Sequence, residues 1–189
     1  MQILSTLLKL STGTVFHSRN ATALIQLALR LIREAAKHEQ VDRWTRRECL
    51  ECADAISGAL NLSDQQLGFL LEQLFAASTW KHGIRSPECL AQAMVAIGRC
   101  VTKFSGPMSE DALNTVLQKC CCNLESDYLQ IRLESVALSR TLLAHLKAHG
   151  LTEFRLQDLA FNLVQRLDDA KTQVTLQALA AFEELLELK

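Results

Sequence analysis

The chain has 189 residues, of which 49% are hydrophobic and 22% are charged, and its formal net charge is −1. This composition excludes a disordered or fibrous chain, and the charge gives no general attraction to nucleic acid or to an anionic membrane. Seven glycines and two prolines are few breaks for this length. Because the abundant Leu, Ala, Gln and Glu lose little side-chain freedom in a helix, helix is favoured almost throughout.

Residues 1–20 are the first segment, and two interpretations of it stay open. The first 33 residues contain four basic residues and no acid before Glu34, which is typical of an organellar transit peptide. Alternatively, the segment is one helix of an incomplete first repeat. Lys9 interrupts its most apolar stretch, and no apolar run in the chain approaches the roughly 20 residues that span a bilayer. No transmembrane helix is therefore predicted.

A basic cluster lies within the next segment, residues 21–61, at the predicted turn into a second helix. It consists of Arg43, Trp44, Arg46 and Arg47. Such a cluster is a candidate contact for phosphate or for an acidic partner, and a solvated helix face is the alternative. Cys49 and Cys52 follow in a CxxC spacing, but a redox site of this kind needs a preceding strand, and none is evident. Structural packing is the expected role of these two cysteines.

The main feature of the chain is an internal repeat. Segments that begin at Arg46, Ser86, Arg132 and Thr175 share a pattern at offsets of 40, 46 and 43 residues. Each has a small residue followed by a branched one, in the pairs Cys49-Leu50, Cys89-Leu90, Ser135-Val136 and Ala178-Leu179. The stretches before the last three segments also align, at steps of 46 residues. Their matched leucines are four residues apart and so share a helix face: Leu67 and Leu71, Leu113 and Leu117, Leu159 and Leu163.

Helix-start and helix-stop residues agree with this register. Predicted caps are Ser63, Ser109 and Thr152, and Pro87 suits the first position of a helix. Breaks are predicted at Gly83, at residues 105–107 and at residues 149–150. The sequence therefore predicts an all-α domain over residues 21–189, built from about four antiparallel helix pairs at 21–61, 62–106, 107–150 and 151–189.

This pattern resembles HEAT repeats of the armadillo-like superfamily. The resemblance is carried by the period, by the paired helices, and by second helices that begin Gln130-Ile131-Arg132 and Gln173-Val174-Thr175. Asp127 with Arg132 fits the family's acidic and basic positions best, whereas Thr175 follows Asp168 and Asp169 where the family often has Arg. The resemblance implies an α-solenoid superhelix whose second helices line a concave surface that binds proteins or other macromolecules.

The remaining candidates for chemistry are cysteines and histidines. Seven cysteines, an odd number, lie in apolar helical patterns, which indicates a reducing intracellular compartment. The cytoplasm is favoured, and an organellar matrix is the alternative. Cys120, Cys121 and Cys122 point about 100° apart on a helix, so a shared metal is not expected. His145 and His149 have a metal-binding spacing, but without a glutamate after His145 they are interpreted as residues that favour a helix C-terminus.

No glycine-framed serine, catalytic Cys/His context or phosphate-binding glycine loop occurs. The predicted function is therefore a non-catalytic adaptor or structural subunit that binds protein partners and needs no cofactor. The last helix carries apolar residues almost to its end, and three of them are candidates for docking: Leu185, Leu186 and Leu188. The alternative is an RNA-binding helical-repeat protein, because some helix starts resemble those of organellar RNA-binding repeats. The partner and the oligomeric state are not predicted.

Overall fold

The structure is a computed structural model. It describes residues 87–150 and 156–188, together with Leu67, Gly68, Leu71 and Leu74. Within these residues all regular structure is α-helix, which confirms the predicted all-α class for this part of the chain. No helix found there is long and apolar enough to cross a membrane. The five helices whose bounds are defined are α1 (Pro87–Lys103), α2 (Glu110–Leu124), α3 (Leu129–Ala148), α4 (Gln157–Arg166) and α5 (Thr172–Leu186).

The chain divides into two compact units, Met1–Ser105 and Gly106–Lys189. In the first unit, α1 begins at Pro87, as predicted for a proline at a first helical position. It buries a face on which apolar residues recur at helical spacing, including Ala93, Ile97 and Cys100. Leu67 and Leu71, predicted to share a buried helix face, are both helical and buried.

The second unit contains α2 to α5 and has two layers. α2 contacts both α3 and α4, and α5 contacts both α3 and α4. The first helices of two consecutive pairs therefore lie side by side, and so do the second helices. This is the arrangement in which each pair covers an apolar face of the other, which neither pair could bury alone.

The repeat register accounts for much of this core. Its four matched leucines in the second unit are buried, and the small residues Ser135 and Ala178 are fully buried. Small side chains at these positions allow neighbouring helices to approach closely. The Ser135 hydroxyl donates to the carbonyl of Ile131 at 2.6 Å, so its burial leaves no unpaired polar group. The buried leucines are Leu113, Leu117, Leu159 and Leu163.

The predicted breaks at residues 105–107 and 149–150 are confirmed, since both lie between helices. Ser109 occupies the N-cap position of α2, although its side chain makes no capping hydrogen bond. α3 ends at Ala148, and Gly150 has a φ of 67°, a left-handed conformation that favours glycine just beyond a helix. The predicted features at Ser63, Gly83 and Thr152 lie outside the described residues, as do residues 1–61.

Candidate functional site

The second unit contains a buried ion pair that joins its two helix pairs. The Arg132 guanidinium donates from Nε to Asp169 Oδ2 at 2.8 Å and from Nη2 to Oδ1 at 3.1 Å. The Arg132 side chain is 11% exposed and the Asp169 side chain 3% exposed. Arg132 lies in the first turn of α3, and Asp169 lies in the turn before α5. Two parallel hydrogen bonds to one carboxylate fix both the distance and the orientation of these elements.

The surroundings of this pair satisfy most of its polar groups. Arg132 Nη1 also donates to the backbone carbonyls of Ser126 and Asp127, at 2.8 and 3.1 Å. Asp169 accepts from the backbone N–H of Lys171 at 3.0 Å. Burial by itself raises the pKa of Asp169, but the hydrogen bonds from Arg132 and Lys171 and the charges of Arg132 and Arg166 outweigh it and hold this pKa below its usual value.

The carboxylate partner of Arg132 is therefore in the following pair. The sequence pattern grouped Arg132 with Asp127, five residues earlier, but Asp127 offers its backbone carbonyl and not its carboxylate. The reason is local, because the turn between α2 and α3 directs carbonyl groups toward the start of α3. The role of the pair is to join helices, and no reacting group is placed beside it by the residues described.

Two exposed ion pairs continue the same contact along α3 and α5. Arg140 donates to Glu184 at 2.6 Å, and Lys147 donates to Glu187 at 2.8 Å. Cations of α3 therefore face acids of the following pair at three levels, counting the buried one. Each exposed pair of this kind contributes little free energy to stability. Such pairs instead favour the register in which opposite charges of the two helices meet.

Large apolar side chains are exposed on α4 and α5. On α4 they are Phe161, 63% exposed, and Val164, 47% exposed. The repeat register places them where α2 carries Thr115 and Gln118, which are exposed and polar. On α5 the exposed apolar residues are Leu176, Leu179 and Leu186. From the sequence, Phe161, Val164, Leu176 and Leu179 were not identified as exposed. Comparison with the preceding pair would have identified the two on α4, because their counterparts there are polar.

The sequence-predicted site residues are placed as follows. Among the three candidates for C-terminal docking, Leu186 is 47% exposed, whereas Leu185 and Leu188 are buried in the second unit. The structure thus leaves Leu186 as the one of these three that a partner can reach directly. The basic cluster lies outside the described residues, so its role stays a prediction; its members are Arg43, Trp44, Arg46 and Arg47.

The three consecutive cysteines differ in environment. Cys120 is fully buried, Cys121 is half-buried and Cys122 is exposed. Burial raises the pKa of the Cys120 thiol to about 12, against the opposite effect of a hydrogen bond with Ser139. Burial, the Asp158 carboxylate and Cys122 raise the pKa of Cys121 to about 11. Cys120 and Cys121 therefore remain protonated at neutral pH, which makes them poor nucleophiles.

His145 and His149 lie at the C-terminal end of α3, where they were expected. Their ring centroids are 4.4 Å apart, and the rings are tilted by 45°. Burial, followed by the charge of His149, lowers the pKa of His145 below its usual value. Within the part of the chain that the structure describes, no three His, Cys, Asp or Glu residues come close enough together to hold a metal ion.

Comparison with known proteins adds no assignment. No protein-family model matches the chain, and no curated protein or solved structure is significantly similar to it. The resemblance to HEAT repeats therefore stays a prediction that rests on the sequence pattern. The structure adds one candidate functional feature, the exposed apolar surface of α4 and α5. It lies in the unit that contains the Arg132–Asp169 pair.

Proposed function

We propose that this chain is a non-catalytic interaction protein, an adaptor or a structural subunit, built as a HEAT-like array of helix pairs. The observation that carries the proposal is the exposure of Phe161 and Val164 on α4 and of three leucines on α5. Burying apolar side chains of this size is favourable, so a group of them that stays exposed to water commonly marks a binding surface.

The position of Phe161 and Val164 supports a surface role over a packing role. Their counterparts Thr115 and Gln118 stay exposed even though α4 packs against α2. The equivalent positions are therefore outside the contact between successive pairs. Apolar residues there are not required for stacking, so binding is a better explanation for them. Protein partners fit this surface better than RNA does, because RNA recognition relies on basic residues beside stacking aromatics.

A reducing compartment belongs to the same proposal. Cys100 and Cys120 are buried in helices, where a cysteine packs as a small apolar residue, and buried thiols of this kind are typical of a reducing compartment. The cytoplasm is the compartment that we favour.

The experiment compares proteins that copurify with the tagged full-length chain and with a Phe161→Ser/Val164→Ser variant. The matched control is Thr115→Ser/Gln118→Ser, which changes the equivalent exposed positions of α2. We expect specific proteins to be enriched by the wild type and the control, measured by quantitative mass spectrometry, and to be lost from the variant. Thermal unfolding of all three proteins verifies that the fold is retained.

Two results would contradict the proposal. One is a set of copurifying proteins that is unchanged by the variant. The other is recovery of single-stranded RNA whose binding weakens steeply with salt and is abolished by Arg43→Glu, Arg46→Glu and Arg47→Glu together, since that behaviour belongs to a nucleic-acid-binding protein.

A further inference from the structure

The face of α3 that receives the following helix pair has a defined composition. Val136 and Leu143 are seven residues apart, so they lie on the same side of the helix, and they are 0% and 1% exposed. The cations Arg132, Arg140 and Lys147 border this side, and each pairs with an acid of the α4–α5 pair. In this unit, one helix pair therefore packs against the next through an apolar strip that is flanked by charged residues.

The repeat register identifies the same face on α5. At the offset of 43 residues, Val136 corresponds to Leu179 and Leu143 to Leu186. Leu179 is 44% exposed and Leu186 is 47% exposed, in contrast to their fully covered counterparts. Both helices therefore carry apolar residues at these positions, but only those of α3 are buried. We call Leu179, Leu186 and the adjacent Glu183 the α5 strip.

The charge beside the strip is reversed. The register places Glu183 of α5 at the position of Arg140 of α3. Arg140 donates to Glu184, so the helix that covers α3 is acidic at that point. Glu183 is exposed and carries the opposite charge. An acid at the corresponding point of a helix that covers the α5 strip would be repelled by Glu183, so a basic residue is the best match there.

Other properties of a helix that would cover the α5 strip can be described from α5 itself, which is the helix that covers α3. The side of α5 that is buried in the second unit is formed by small and medium apolar residues at helical spacing, and it lies beside Glu184. Those residues are Val174, Ala178, Ala181 and Leu185. A helix with such an apolar ridge, and with Arg or Lys in place of Glu184, has both the shape and the charge that the α5 strip requires.

We propose that the α5 strip binds an amphipathic helix of another protein, one whose Ala- and Leu-rich ridge is flanked by Arg or Lys. This inference rests on the proposed function and names the class of partner. A second copy of this chain is disfavoured as the occupant, because a symmetric contact through the strip brings Glu183 of one copy toward Glu183 of the other. Docking of a copy's α5 would oppose Glu184 to Glu183.

The test uses the full-length chain and two designed helical peptides of about 20 residues, long enough to be helical when constrained by a side-chain bridge. Both peptides have the same Ala/Leu ridge. One is flanked by Arg and the other by Glu. Fluorescence anisotropy measures the dissociation constant of each. We expect the Arg peptide to bind at least about tenfold more tightly than the Glu peptide, and Glu183→Lys to reverse this preference.

Variants distinguish peptide binding through the α5 strip from nonspecific binding to exposed apolar residues. Leu179→Ser/Leu186→Ser should weaken the Arg peptide at least about tenfold, equivalent to about 1.4 kcal/mol. Val164→Ser is the matched control, since Val164 is as exposed as Leu186 but lies on α4. Equal binding of the two peptides, no binding of either, or an equal loss in Val164→Ser would overturn the proposal. Glu183→Lys changes only an exposed side chain, so the charge test does not depend on the leucine variants folding.

The two proposals can fail separately. If neither peptide binds while copurifying proteins still depend on Phe161 and Val164, the class of partner is wrong and the interaction function stands. If no copurifying protein depends on those residues while the Arg peptide binds through the α5 strip, the surface on α4 is wrong and the strip stands.

Discussion

Arg132 holds the carboxylate of Asp169 by two hydrogen bonds and so ties the start of α3 to the turn before α5. Replacing Arg132 with Met removes both of its hydrogen bonds from a carboxylate that is 3% exposed and leaves only the longer contact with Arg166 Nη1, at 3.4 Å. We expect Arg132→Met to lower the free energy of unfolding by about 3 kcal/mol, because a buried charge that loses its partner is strongly destabilising. Urea denaturation followed by circular dichroism measures this change.

The control for that substitution is Arg140→Met. The Arg140–Glu184 pair has side chains that are 45% and 36% exposed, so its loss should cost less than about 1 kcal/mol. Equal destabilisation by the two substitutions would show that burial does not determine the strength of these pairs.

Asp169 also gives the fold a pH dependence whose sign can be stated. Its pKa is lower in the folded chain than in the unfolded one, where an Asp titrates at about 3.9. The folded state thus binds the proton less readily, and the stabilisation is present above the unfolded pKa and is lost as the pH falls through the folded one. We expect the stability difference between the wild type and Asp169→Asn to be largest near neutral pH and to shrink in acid.

Urea midpoints across a pH series measure this difference. Glu187→Gln is the comparison, because the pKa of Glu187 is also lowered, by its hydrogen bond with Lys147, but the side chain is exposed and screened by water. A difference between wild type and Asp169→Asn that stays constant with pH would exclude Asp169 as the titrating group.

Two glycines should respond oppositely to the same change. Gly150→Ala places a side chain at a φ of 67° and should destabilise the chain by about 1 kcal/mol. Gly68 is helical, and an added methyl group there meets no atom within 4 Å, so Gly68→Ala should stabilise by up to about 1 kcal/mol. Thermal unfolding of both variants gives the two signs. Destabilisation by Gly68→Ala would indicate that its site is not an open helix position.

The three adjacent cysteines should react in order of exposure. A brief treatment of the native chain with a maleimide should label Cys122 and spare Cys120 and Cys121, whose pKa values are raised to about 12 and about 11. Fragmentation of the peptide in a mass spectrometer locates the label. Denatured protein is the control, in which all three should react. Rapid native labelling of Cys120 would mean that α2 is not packed as described.

The sequence predicted the features that depend on regular helix geometry. Leu113, Leu117, Leu159 and Leu163 were placed on buried faces because a spacing of four residues returns to the same side of a helix. Ser135 and Ala178 were recognised because adjacent helices leave no room there for a large side chain. The same reasoning could have been applied to the docking leucines, because Leu186 lies about 100° from Leu185 and therefore on a different side.

Other features could not be predicted because they depend on how separate elements meet. The pairing of Arg132 with Asp169 spans 37 residues and requires the turn before α5 to lie against the start of α3. The exposure of Leu179 is likewise invisible in the repeat, since its counterpart Val136 is fully buried. A repeat pattern specifies what kind of residue occupies a position, whereas the neighbouring element decides whether that position is covered.

The three charged links between α3 and the following pair are not equivalent along the helix. Arg132 and Lys147 are separated by fifteen residues, about 22 Å of helix axis. The link at the Arg132 end is buried, whereas those at Arg140 and Lys147 are open to solvent, where salt weakens them. Rising ionic strength therefore weakens the links at Arg140 and Lys147 and changes the one at Arg132 little. In concentrated salt, the packing of α5 on α3 depends on the Arg132–Asp169 pair and on the buried apolar residues of the two helices.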